Sequence, residues 1–182
     1  MVRQATSKTD GGGMDDVLIR VEVPSDIKAI DAVNRAAFGG AEEAELVARL
    51  RATGEFVLSL VAERDGKLVG HVAFSSASIE NGGERTNVAW LAPLAVHPEA
   101  QHKGIGSALV TSGIRCCRRL KIGYVVLVGD EGFYHRVGFS RAAAEQLESR
   151  WPKEALLAAR PLSTVPLLAG RLVEPRAFAE LN

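Results

Sequence analysis

The stretch Leu94-Ala95-Val96-His97-Pro98-Glu99-Ala100-Gln101-His102-Lys103-Gly104-Ile105-Gly106 decides the reading of this chain. Apolar residues close a strand, a short polar loop follows, and two glycines open a helix. The first N–H groups of a helix have no acceptor within it. With the aligned peptide dipoles they form a seat for a phosphate or pyrophosphate, and no basic side chain is required. Gly104 and Gly106 carry no Cβ, so a ligand can come close to the backbone there. The loop therefore predicts a phosphorylated cofactor.

Composition narrows the class. A chain of 182 residues predicts one domain. Hydrophobic residues at 47% and charged residues at 24% fit an ordinary globular protein. Lys plus Arg is 22 and Asp plus Glu is 22, so there is no global basic field to hold a nucleic acid or an anionic membrane. No apolar run approaches the ~20 residues of a membrane helix. Met1 to Asp16 is polar, carries Gly11-Gly12-Gly13 and lacks the apolar stretch of a signal peptide. It reads as a disordered leader before a single domain over 17–182, with Met14 as an alternative start. Cys116 and Cys117 are adjacent and point to different sides of a helix, which predicts reduced thiols and a cytoplasmic location. His71, His97, His102 and His135 show no zinc-like spacing with these cysteines, so no metal is expected.

Outward from the central loop, the patterns predict alternating elements. Residues 17–23 alternate as a strand. Pro24-Ser25-Asp26 is helix-start chemistry, Ile27, Ile30, Val33 and Ala37 follow at helical spacing, and Gly39-Gly40 stops the helix. A second helix over 41–52 carries Leu46, Val47 and Leu50 on one face. Residues 56–64 and 67–79 read as strands joined by Asp65-Gly66, the sequence of a type I′ hairpin turn. Asn81-Gly82-Gly83 turns into a third strand over 87–96. The helix over 104–120 is expected to turn Ile105, Ala108, Leu109, Ser112 and Cys116 to a sheet. Its last turn carries Arg115, Arg118, Arg119 and Lys121, solvated cations favoured near a negative helix end. Tyr124 to Val128 is continuously apolar, as in a strand buried on both faces. Glu131 to Val137 gives a helical turn or two, and residues 156–162 and 167–173 are plausible closing strands. An antiparallel meander meeting a strand–helix–strand crossover predicts an α/β (α+β) three-layer domain with a mixed sheet.

Two common phosphate-binding motifs do not fit. A P-loop ends in Gly-Lys-Ser/Thr, whereas here Lys103 precedes the glycines and Ser107 follows them. A dinucleotide fingerprint needs a third glycine where Leu109 stands, and it follows a βαβ start rather than a meander. The segment Gln101-His102-Lys103-Gly104-Ile105-Gly106, after Leu94-Ala95-Val96, instead resembles the Gln/Arg-x-x-Gly-x-Gly/Ala signature of the GCN5-related N-acetyltransferase (GNAT) family. Phe133-Tyr134-His135-Arg136-Val137-Gly138-Phe139 resembles that family's second signature, Tyr-x-x-x-Gly-Phe. The two stand in the family's order, and the resemblance covers roughly residues 17 to 140. Gly129-Asp130 before an aromatic-Tyr pair, and the C-terminal extension, are similar to the bacterial YhbS-like subgroup. The resemblance implies a mostly antiparallel central sheet splayed at the cofactor site, with acetyl-CoA as cofactor. The pyrophosphate would sit on the N–H groups of Gln101, His102, Lys103, Gly104, Ile105 and Gly106, with Ser107 beside them. The pantetheine arm would pair with Leu94, Ala95 and Val96 where strand 87–96 parts from strand 124–128.

Acetyl transfer to an amine needs a neutral nitrogen, a donor for the tetrahedral oxyanion and a proton for the leaving thiolate. By resemblance Tyr134 is the acid, and the N–H near Leu94 is the oxyanion donor. A phenol, with a reference pKa of ~10, is protonated and able to donate at neutral pH. Strand 87–96 lacks the glutamate that many family members place there. A water chain, His71, Asp130 or Glu131 remain as alternatives, with His71 expected to be half-exposed. A neutral arylamine would need no base, and an α-amine less of one than a lysine. Gly129-Asp130 replaces an asparagine-containing segment of many relatives. Trp90 and Phe74 either line an acceptor pocket or pack the core. The expected activity is acetyl-CoA-dependent N-acetyl transfer to a small-molecule or peptide amine, by a monomer or homodimer, without nucleic-acid or membrane partners. The competing expectation is a catalytically weak coenzyme A-binding sensor module.

Overall fold

The structure, a computed structural model, describes residues 16–179. The expected leader lies outside the described residues except for Asp16. Twelve elements follow in order: β1 (Val17–Val21), α1 (Ile27–Phe38), α2 (Glu42–Ala52), β2 (Phe56–Arg64), β3 (Lys67–Asn81), β4 (Glu84–Val96), α3 (Ile105–Arg119), β5 (Val125–Val128), α4 (Glu131–Tyr134), β6 (Leu147–Glu148), β7 (Leu156–Ala159) and β8 (Gly170–Val173). The strands form one mixed sheet in the order β1-β2-β3-β4-β5-β7, with β8 against β3 and β6 against β8. β1 to β4 are an antiparallel meander, β4 and β5 run parallel, and β5 and β7 run antiparallel. This is the mixed, mostly antiparallel α/β sheet that the sequence predicts.

Turn chemistry sets the meander. Asp65 and Gly66 both hold positive φ (53° and 72°), as a type I′ turn requires. Gly82 and Gly83 do the same at the next hairpin (58° and 88°). β3 is long enough to have two successive partners on one edge. Its first half pairs with β2 as far as Ser75, and Ser78–Glu80 then pair with β8.

Strand alternation divides the core between two faces. Ala89, Leu91, Val125 and Leu127 pack under α3, whereas Val88, Trp90, Tyr124 and Val126 face the opposite layer. α1 and α2 cover part of that second face. The buried stripe of α3 is Ile105, Leu109, Val110, Gly113 and Cys117. The expected stripe is thus displaced, since Ala108, Ser112 and Cys116 are only half-buried. The reason is Gly113. It has no side chain to mark a hydrophobic face, yet it is the point of closest approach. A Cβ there would lie 2.2 Å from Phe74 Cζ. Phe74 is accordingly a core residue, fully buried under α3. Cys116 and Cys117 are unpaired, and burial pushes the Cys117 thiol up to about 12.

The C-terminal segment is tied back through one buried carboxylate. Glu55, at 6% exposure, accepts hydrogen bonds from Thr53 Oγ1 (2.7 Å), the Arg176 N–H (2.7 Å) and the Ala177 N–H (3.1 Å). Burial alone would raise its pKa. The three donors and the nearby Arg176 guanidinium outweigh burial and hold it below the usual carboxylate value. A depressed carboxylate pKa stabilises the fold above the unfolded-state value and is lost as pH falls through the folded one. Replacing Glu55 with Gln should therefore cost about 1–3 kcal/mol at pH 7. That difference should shrink in urea melts below about pH 4, near the reference carboxylate value.

Candidate active site

A break inside the sheet positions everything else. β4 and β5 pair only at Ala89↔Val125 and Trp90↔Val126, and β4 then runs on to Val96 with no strand on that side among the described residues. Just past the last pair the register against β3 slips, from Phe74↔Leu91 to Val72↔Leu94. Ala73 thus faces both Ala92 and Pro93, a β-bulge that suits a proline, which has no N–H to give the ladder. Beyond the bulge the His97 N–H donates to Val69 O at 2.9 Å. By alternation the polar backbone atoms of Ala95 also face β3, and those of Leu94 and Val96 face the gap.

At the end of β4 lies the loop that the sequence singled out. His102 and Gly104 hold positive φ (60° and 81°) and turn the chain into α3. The backbone N–H groups of residues 102–107 find no acceptor among the described residues. All of these residues but Lys103 line a cleft of about 540 Å³, together with Leu94, Val96, Phe133 and Arg136. Gln101 does not belong to that row. Its N–H is already bonded to Pro98 O (3.3 Å), and its side-chain amide donates to Val96 O (3.0 Å). Gln101 therefore ties the loop to the strand, and the free row starts one residue later and reaches Ser107. The Lys103 ammonium donates to Glu99 O (2.9 Å), within the loop itself.

Tyr134 comes from the other side of the gap. β5 ends at Val128, and the Asp130 side chain caps the short α4 by accepting from the Phe133 N–H (2.9 Å). The Tyr134 ring meets Phe133 and Phe139 edge-on, at 4.9 and 5.7 Å between centroids. It also lies over Gly129, where a Cβ would come within 2.6 Å of Tyr134 Cε2. The glycine that replaces the asparagine segment is thus the seat of this ring. The phenol has no hydrogen-bond partner among the described residues, and burial pushes its pKa up to about 12.

The base candidates read from the sequence do not gather here. Asp130 is the cap of α4, and Glu131 pairs with Arg141 at 2.5 Å. His71 is fully buried, not half-exposed. Its Nδ1 accepts from Asn34 Nδ2 (3.1 Å), so Nε2 carries the proton toward Ser59 Oγ (3.0 Å). Burial, with the nearby Arg51 charge, pushes His71 down to about 3, so it is a neutral structural imidazole.

Across the gap from the N–H row is a second cavity of about 310 Å³, which shares Leu94 with the first and reaches Tyr134. Trp90, Trp151 and Phe178 form its aromatic wall, and Phe38, Glu42, Glu43 and Leu46 close it from α1 and α2. Trp90 is both core and lining. The sequence reading missed Trp151, Phe178, Glu42 and Glu43, which lie outside any motif. Among the described residues there is no cluster of His, Cys, Asp and Glu able to hold a metal, and no helix long and apolar enough to cross a membrane.

Tyr124 is likewise raised above its ordinary value, chiefly by burial. These are the only two tyrosines in the chain. A buried neutral phenol favours the fold until the unfolded chain begins to ionise near pH ~10, and that contribution is lost as pH rises through the folded value. Alkaline titration at 295 nm should therefore show little tyrosinate at pH 10 in the folded protein and an abrupt rise on unfolding. A full transition centred at pH 10 in folded protein would contradict the burial.

Residues 27–139 match the model of the Acetyltransferase (GNAT) family. An uncharacterised N-acetyltransferase, YhbS of Escherichia coli, is 40% identical over 137 residues, covering 75% of this chain and 81% of its own. The crystal structure of Escherichia coli YhbS in complex with CoA superposes with a TM-score of 0.83 at 34% identity, covering 97% of this chain and 98% of that one. A GNAT family acetyltransferase from Brucella melitensis, in complex with acetyl-CoA, gives 0.75 at 33% identity over 89% of this chain and 97% of its own. With its two signatures on either side of a splayed sheet, the chain belongs to the GNAT acetyltransferase family.

Proposed function

We propose that this protein is an acetyl-CoA-dependent N-acetyltransferase, acting by direct attack of an amine of a small molecule or peptide, with Tyr134 as general acid. The unpaired N–H groups of residues 102–107, opening onto a cleft beside an unpaired strand edge, carry this reading. They fit an anionic pyrophosphate and an amide-bearing arm. The N–H row offers donors without bulk, and a Cβ on Gly106 would meet Phe133 Cζ at 3.4 Å. The two crystallised relatives, named with CoA and with acetyl-CoA, support the same cofactor. The free cysteines suit a reducing cytoplasm.

When bound, acetyl-CoA supplies an activated thioester carbonyl. The N–H row of residues 102–107 holds the pyrophosphate. The polar backbone groups of Leu94 and Val96 that face the gap pair with the arm as an added strand would. Val96 O already accepts from Gln101, and its second lone pair is available. The Leu94 N–H, at the junction of the two cavities, donates to the oxyanion as charge develops. The Tyr134 hydroxyl, protonated through neutral pH and without a competing partner, donates to the leaving sulfur.

The absence of a carboxylate from residues 87–96 of β4 favours a second reading, a coenzyme A-binding sensor with weak catalysis. Calorimetric titration of acetyl-CoA, followed by thiol-release kinetics, separates the two. Wild type should bind at micromolar or better, and Gly106→Glu, which places a negative charge in the row, should abolish binding. Gly104 is the poorer control because its φ of 81° strains any side chain. Tyr134→Phe should keep acetyl-CoA affinity and lose about 10²–10⁴ in kcat. A slow turnover that Tyr134→Phe leaves unchanged supports the sensor, and failure of folded wild type to bind acetyl-CoA overturns both.

A further inference from the structure

The cavity of about 310 Å³ beside Tyr134 has a chemistry that selects its occupant. Its wall is three packed aromatic rings. Trp90 lies 5.4 Å from Phe178 and 6.4 Å from Trp151, centroid to centroid. Trp151 is held from behind, since its indole N–H donates to Glu174 Oε1 (2.6 Å) and the Arg150 guanidinium lies 4.7 Å from the ring centroid. Arg150 in turn pairs with Glu174 at 3.0 Å. The wall is therefore fixed before any ligand arrives, and it suits a flat or branched apolar group.

The rim has the opposite character. Glu42 and Glu43 come from the first turn of α2, and neither has an ion-pair or hydrogen-bond partner among the described residues. Carboxylates in a first turn complement the helix dipole, which by itself accounts for Glu45, a residue outside the cavity. The dipole does not account for two carboxylates bordering a cavity with aromatic walls and, among the described residues, no Lys, Arg or His in its lining. The missing complement is a cation. A volume at the small end of known ligand sites favours a small molecule over a peptide.

Resting on the acetyltransferase reading above, we propose that the acceptor is a small primary amine borne on an aromatic or branched apolar body. The body lies against Trp90, Trp151 and Phe178, and Glu42 and Glu43 receive the ammonium. The ammonium gives one proton to the rim carboxylates, and the neutral nitrogen forms a C–N bond with the thioester carbonyl carbon. The C–S bond then breaks, the sulfur takes the Tyr134 proton, and the nitrogen gives up its second proton. One of the two protons lost by nitrogen restores Tyr134, and the other passes to solvent.

The chain's two tryptophans both line this cavity, so intrinsic fluorescence reports its occupancy without any turnover. CoA-saturated protein titrated with phenethylamine at pH 7 should give a saturable change. Phenethyl alcohol, the same body without the charge, should bind at least tenfold more weakly. The double variant Glu42→Gln, Glu43→Gln should bind phenethylamine no better than wild type binds the alcohol, with CoA affinity unchanged and the melting midpoint lowered by no more than a few degrees for the lost helix-dipole contacts. Absence of a saturable change, equal affinity for amine and alcohol, an unaffected double variant, or tighter binding of spermidine or a short peptide would each overturn the proposal. Because acetyl-CoA binding and Tyr134-dependent turnover are measured separately, any of these outcomes leaves the acetyltransferase reading standing.

Discussion

The constraint on which this molecule turns is that β4 outlasts its partner. A buried strand normally has every polar backbone group paired. Here the pairing between β4 and β5 stops after two residue pairs, and β4 continues to Val96. The bulge at Ala92-Pro93 bends β4 at that point, and β7 holds β5 on its other edge from Val125 to Val128. The gap is thus built into the interior of a continuous sheet. Since α3 is the crossover between the two parting strands, its unpaired N-terminus comes to lie at the mouth of the gap. In open α/β sheets such a crevice is the usual place for a ligand. Tyr134 enters because β5 is short and the chain turns back at Gly129-Asp130.

A second interaction sets the other side of the gap. Asn34 on α1, His71 on β3 and Ser59 on β2 form a buried chain that ends on Glu22, which Arg51 of α2 holds with both carboxylate oxygens. One buried atom of this network, Asn34 Oδ1, has no partner among the described residues, and the bonds that are made connect the elements that carry them. The network locks α1 and α2 against the meander, and with them the positions of Phe38, Glu42 and Glu43. The histidine that looked available for proton transfer is the hinge pin of that lock. Its work is done in the neutral form, which burial favours.

What was legible in the sequence was local. Asp65-Gly66 and Gly82-Gly83 announce hairpins because few residues accept positive φ. Gly104 announces the start of α3 for the same reason, and both family signatures lie within a few residues of a turn. The stripe of α3 was misplaced because its closest contact is made by a residue with no side chain. His71 was misjudged because its burial depends on Asn34 and Ser59, 37 and 12 residues away. β6 is two residues long, too short for any period to show. Trp151, Phe178, Glu42 and Glu43 come from the C-terminal segment and α2, and only the folded chain brings them together. The buried Glu55 is part of that assembly, since it anchors the turn that carries Phe178.

The setting of Tyr134 bears on how its proton can move. A phenol held near 12 is a weak donor to a thiolate whose free thiol has a pKa of ~8.5, and a mismatch of that size opposes full transfer. The same burial acts on the sulfur, however. Desolvation destabilises a thiolate as it does a phenolate, and Cys117 of this chain shows the effect, its thiol raised to about 12 mainly by burial. A leaving sulfur desolvated beside Tyr134 would be raised in the same sense, toward the phenol's range. The apolar shell that makes Tyr134 a poor acid in isolation thus makes it a matched one, provided that the gap is filled and dry when the C–S bond breaks. On the mechanism proposed above, acid catalysis by Tyr134 is a property of the closed site, with the occupants of both cavities excluding water from the phenol.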